Sequence, residues 1–161
     1  MNRFALAVAI FFAATGLARA DGFLSDADAR DALQRAMNVI ASGKVERGME
    51  SLRPHTTFNS DQFASLTDQF LIIQKSASRE LGKSLEAEFM CLERTGASVM
   101  RLHYLQKFEE AGIPWTFTLY RVSRDWMIIG MQQHGTLDGF YCFDESEPEG
   151  RGTGMQPIQD L

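Results

Sequence analysis

Residues 98–108 read Ser-Val-Met-Arg-Leu-His-Tyr-Leu-Gln-Lys-Phe, and residues 115–122 read Trp-Thr-Phe-Thr-Leu-Tyr-Arg-Val. Both alternate with period two, the repeat of strands whose side chains point to opposite faces in turn. The loop from Glu109 to Pro114, with Gly112 inside it, joins them as a hairpin centred near Glu110 and Ala111. Folding there sets Met100, Leu102 and Tyr104 opposite Leu119, Phe117 and Trp115, an apolar row that must be the inner face. The other face carries Val99, Arg101, His103, Leu105 and Lys107 beside Thr116, Thr118 and Tyr120. It is too mixed for a second core and faces water or a partner subunit.

Working outward, Leu85 to Leu92 reads as a preceding strand, with its turn at Gly96. Ser123 to Asp125 makes a tight turn into a fourth strand from Trp126 to about Leu137. Before Gly82 the period becomes helical. Ala29, Leu33, Met37 and Ile40 recur behind a cap at Ser25 or Asp26, and Gly43 stops the run. Val45, Met49 and Leu52 mark a short helix that Pro54 ends. Phe63, Leu66, Phe70, Ile73 and Ala77 form a third stripe behind Asn59 or Ser60. Helices first and hairpin strands after predict an α+β domain, its N-terminal helices packed on one side of a curved four-stranded antiparallel meander.

The chain begins with Arg3, an apolar run from Phe4 to Leu17, and Ala18-Arg19-Ala20 before Asp21. That order predicts a signal peptide over residues 1–20, with export to the periplasm in a Gram-negative source and secretion otherwise. The run is shorter than a bilayer span needs. Residues 21–143 form one α+β domain, and 144–161 an acidic tail that the composition predicts to be disordered. Losing Arg3 and Arg19 moves the net charge from −5 to −7. An acidic chain without a basic stripe is a poor nucleic-acid binder.

Cys91 and Cys142 either pair, closing a loop worth about 4 kcal/mol in the chain-entropy model, or remain two separate buried thiols. His55, His103 and His134 lack metal-ligand spacing with each other or with the cysteines, so no metal and no cofactor are expected. No nucleophile-elbow motif accompanies the serines.

Gly82-Lys83-Ser84-Leu85, the stretch from Leu102 to Glu109, the stretch from Trp115 to Tyr120, and Asp125-Trp126 carry a resemblance. Over about residues 26–137 the chain resembles the nuclear transport factor 2-like superfamily, a cone-shaped, cystatin-like α+β fold, and within it small exported bacterial proteins of unknown function. The resemblance implies a cavity between helices and sheet, in which Tyr104, Trp115, Phe117 and Leu119 would line a site for a small apolar ligand. The superfamily's isomerases and dehydratases work with Asp, Tyr or His groups inside the cone. Here only Tyr104, with Gln132 or Gln133, turns inward, and no catalytic pair can be assembled.

The leading expectation is therefore a non-catalytic exported domain that binds a protein partner or a second copy through Val99, Leu105 and Tyr120. A carrier or sensor of a small apolar ligand comes next, and an isomerase or dehydratase after it. The first expectation is directly measurable: the intact mass of the exported chain corresponds to a start at Asp21.

Overall fold

The computed structural model describes residues 21–135. The expected signal peptide, Cys142 and the acidic tail lie outside them. The elements are α1 (Asp26–Ala41), α2 (Val45–Leu52), a 3-10 turn (Arg53–His55), α3 (Ser60–Glu80), β1 (Ser84–Thr95), β2 (Val99–Phe108), β3 (Gly112–Val122) and β4 (Asp125–Gln133). The strands form one antiparallel sheet in the order β1-β2-β3-β4, with the helices on one side, so the α+β expectation holds.

Local chemistry sets the boundaries. Ser25 caps α1 by accepting the Asp28 N–H, and Gly43, at φ +84°, takes the left-handed turn after it. Asn59 and Gln62 open α3 with a reciprocal capping box. The β2–β3 register is the one the alternation predicts, with Met100 opposite Leu119, Leu102 opposite Phe117 and Tyr104 opposite Trp115.

Three strand ends differ from expectation by more than one residue. β1 runs on to Thr95 because Arg94 lies over the Trp126 ring and pairs with Asp26, so a charged residue completes the strand. β3 starts at Gly112, inside the expected loop, because Gly112 already pairs with Lys107 and Pro114 with Leu105. β4 ends at Gln133 rather than Leu137, and His134 adds one bond from its N–H to the Pro114 carbonyl.

The core lies between sheet and helices. Leu33, Met37 and Ile40 of α1 have no exposure, nor have Met49 of α2 or the inward β2–β3 set. The Tyr104 hydroxyl donates to the Arg30 carbonyl at 2.9 Å, and Gln34 Nε2 donates to the Ala87 carbonyl at 2.9 Å, fixing α1 on the sheet. Ridge-to-groove contact between α1 and α2 needs Gly48, since a Cβ there would meet Ile40 Cγ1 at 2.5 Å and the Ala36 carbonyl oxygen at 2.9 Å. Gly48→Val should therefore destabilise the chain by about 2 kcal/mol in chemical denaturation, through overpacking. Gly135→Ala, with nothing within 4 Å of the added Cβ, should change it by less than about 0.5 kcal/mol.

Candidate functional site

The inner face is a filled core at the residues expected to line a cavity. Tyr104, Trp115, Phe117 and Leu119 have zero exposure, so no water-sized void touches them. Phe70 of α3 packs on Trp115 at 4.8 Å between centroids, and Tyr104 meets Phe89 and Phe117 edge-on at 5.4 and 5.8 Å. Burial pushes the Tyr104 phenol well above its ordinary range, with the nearby Arg30 opposing the shift in part. Its proton stays on to donate to Arg30.

Toward the β1-start end the inner face turns polar. Gln106 and Gln74 exchange amide bonds at 2.8 and 2.9 Å, the Trp115 indole N–H donates to Gln106 Oε1 at 3.1 Å, and Gln106 Nε2 donates to the Ser84 hydroxyl at 2.9 Å. Gln133, opposite Trp115, turns inward, and its amide nitrogen and oxygen are buried without a bonding partner. Gln132 turns outward. These amides do not titrate, so they orient groups but cannot exchange protons at neutral pH.

Proton-carrying groups gather on the outer face instead. The Thr116 hydroxyl lies 3.0 Å from both His103 Nδ1 and His134 Nε2, and His103 Nε2 lies 3.2 Å from Glu93 Oε2. A carboxylate there selects the His103 tautomer protonated on Nε2, leaving Nδ1 as acceptor. Thr116, with one proton, then donates to His103 and accepts from His134 Nε2–H. The result is a directed chain from His134 through Thr116 and His103 to Glu93. It resembles a nucleophile–imidazole–carboxylate set in composition. However, β3 is flanked by β2 and β4, and its N–H groups serve the ladders, so among the described strands no pair of free backbone donors stands beside Thr116 for an oxyanion.

Cys91, Glu93 and His103 bring one ligand atom each within 4.8 Å of one another. A metal would require a Cys91 thiolate, and Cys91 is not a free cysteine. The trio is invisible to spacing rules because strand register, not sequence distance, sets Cys91 opposite His103. Of the expected docking residues, Tyr120 is 43% exposed, while Val99 and Leu105 are half-buried on the same face. The hydrogen bonds that the Lys107 ammonium donates to Glu88 and then to Glu86 hold it above its ordinary pKa. A groove of about 580 Å³ also runs between α3 and the end of β4, lined by Phe58, Leu66, Ile129 and Met131 among others.

No protein-family model and no curated protein matches the chain. Among solved structures, it is similar to a provisionally named NTF2-like transpeptidase from Campylobacter jejuni, at 11% identity and a TM-score of 0.43, over 65% of this chain and 98% of that one. It is also similar to an NTF2-like protein of unknown function from Shewanella baltica, at 12% identity and a TM-score of 0.38, over 70% and 98% respectively. Among the described residues no helix is long and apolar enough to cross a membrane.

The amide cluster is the most demanding polar feature of the interior. Gln106→Ala would leave the Trp115 N–H and the Gln74 amide buried without partners. It should lower stability by about 2–4 kcal/mol in urea unfolding.

Proposed function

We propose that this chain is an exported domain that works by binding, through the outer face of its sheet, a protein partner or a second copy of itself. One observation carries the reading. Among the described residues, the polar groups turned inward from the sheet's central strands are a phenol locked to a backbone carbonyl and a set of amides bonded to the Trp115 indole and the Ser84 hydroxyl, none able to act as acid or base near neutral pH. The outer face offers what the interior lacks: partly exposed apolar residues between polar ones, at Val99, Leu105 and Tyr120. That composition suits a docking surface of ordinary polarity. In a symmetric pair the patch would meet its own copy.

A second reading, a carrier or sensor of a small apolar ligand, is favoured by one specific feature. The buried amide of Gln133 has hydrogen bonds to give and accept, and the groove between α3 and β4 lies beside the same strand. A ligand there would enter at the end of β4 rather than among Tyr104, Trp115, Phe117 and Leu119.

Sedimentation separates the two. Self-association at tens of micromolar should weaken with Leu105→Glu or Tyr120→Glu, because each buries a carboxylate without a partner, and the fold should persist. A monomer at that concentration removes self-association, and unfolding of both variants would mean that the outer face is part of the core.

A further inference from the structure

The turns that join β1 to β2 and β3 to β4 lie at one end of the sheet, and that end is rich in arginine. Arg94, Arg101, Arg121 and Arg124 stand there beside Asp26, Glu93 and Asp125, in a chain whose net charge is −5. Two of these acids are engaged, Asp26 by Arg94 and Glu93 by His103. Two of the arginines share a platform. The Arg94 guanidinium lies 5.6 Å from the centroid of the Trp126 ring, and the Arg121 guanidinium 4.3 Å. Trp126 has no exposure, yet its indole nitrogen is buried without a hydrogen-bond partner, and so is Nε of Arg121. Buried donors are nearly always bonded, so two orphans beside one ring mark an incomplete site.

The two guanidiniums differ in one respect. Arg94 has a carboxylate, that of Asp26 in the first turn of α1. Arg121 packs closer to the same ring and, among the described residues, pairs with no carboxylate. Asp125, next to Trp126 in sequence, pairs with neither arginine.

We infer that Arg121, seated on Trp126, is a binding site for the carboxylate group of a ligand, the counterpart of the Asp26–Arg94 pair. The site does not depend on association through Val99, Leu105 and Tyr120.

Backbone bonds hold the platform in place. Trp126 and Phe23 exchange two of them at 2.9 Å, Arg121 stands opposite Trp126 in the ladder, and the Arg121 N–H donates to the Ser98 carbonyl at 2.8 Å. A stacked guanidinium offers its edge to a ligand, and turning in its own plane keeps the contact with the ring. That turn brings Nε–H and one Nη–H to the two carboxylate oxygens as parallel, charge-assisted bonds. Arg121 is half-buried, so its side chain is reached from solvent while the indole beneath it stays dry. No proton moves, because guanidinium and carboxylate are both charged at neutral pH.

Nuclear magnetic resonance of the ¹⁵N-labelled chain tests the site, because its two indoles report separately. The Trp115 N–H is already held by Gln106 Oε1 at 3.1 Å, which makes it the control. Sodium acetate, titrated at constant ionic strength against sodium chloride, should move the Trp126 indole and Arg121 Nε–H resonances together and to saturation. The midpoint should be on the order of millimolar, and Trp115 should stay still. A blocked pentapeptide with one glutamate among glycines separates a free acid from one carried on a polypeptide. An equal midpoint means that the carboxylate alone is read, and one about tenfold lower means that the chain around it is read too.

Arg121→Lys keeps the charge but loses the Nε–H and the planar fork, and should weaken acetate binding about tenfold. Arg124→Gln, at an exposed neighbour, should change the midpoint by less than about twofold. Resonances that drift with acetate as they do with chloride, a midpoint kept by Arg121→Lys, or one lost with Arg124→Gln would each overturn the inference. An unmoved Trp115 resonance shows that a variant is folded. Should Arg121→Lys disturb it, the native titration still decides, since saturation at Trp126 without movement at Arg121 Nε–H overturns the inference as well.

Discussion

Setting Tyr104 opposite Trp115 is the constraint on which the other packing depends. Side chains alternate strictly along a strand, so a slip of one residue would bring Arg101, His103 and Lys107 inward and turn the aromatic row out. With the register as found, Trp115 becomes the seat for Phe70 and so for α3. Tyr104 presents its hydroxyl to Arg30 and so positions α1. Each helix is thus fixed by a ring on a different strand of the same pair. The Gln74–Gln106 exchange then sets the rotation of α3, because an amide pair tolerates less sliding than an apolar contact.

That packing also decides where proton chemistry can occur. Filling the space between sheet and helices with rings excludes water from Tyr104, and the cost of a buried phenolate holds its proton in place. The imidazoles fall on the opposite parity and therefore on the opposite face. There the Glu93 carboxylate fixes one ring's tautomer, and Thr116 passes the constraint to the next. A chain of this kind orders a surface without any cavity.

The sheet's central pair was legible in the sequence because its alternation is uninterrupted from Val99 to Phe108 and from Trp115 to Tyr120. The caps at Ser25 and Asn59 were legible for the same local reason. What escaped depends on irregularity. Counting by twos from Ala87 and Phe89 puts Cys91 on the inner face with them. A bulge between Phe89 and Cys91 inserts the extra residue that turns Cys91 outward, opposite His103. Glu93 lies beyond the strand expected over Leu85 to Leu92, and no local rule shows that Arg94 finds Trp126 and Asp26 across the sheet. The Gln74–Gln106 pair joins residues 32 apart and belongs to tertiary structure alone.

The sheet's two edges both resist pairing with a second strand from another chain. At one edge, β1 places Glu86, Glu88 and Glu93 along a single side, so two such strands brought edge to edge would oppose like charges. Lys107 answers Glu86 and Glu88 from within the same chain, which leaves little for a second copy to neutralise. At the other edge, Phe23 pairs with Trp126, and Thr56 bridges to Ile128, so the first half of β4 already has strand-like neighbours. Extending the sheet across two chains is thus opposed at β1 and partly pre-empted at β4. On the outer face Glu93, His103, Thr116 and His134 already hold one another's polar groups, so covering them costs less desolvation than the mixed composition of the face suggests.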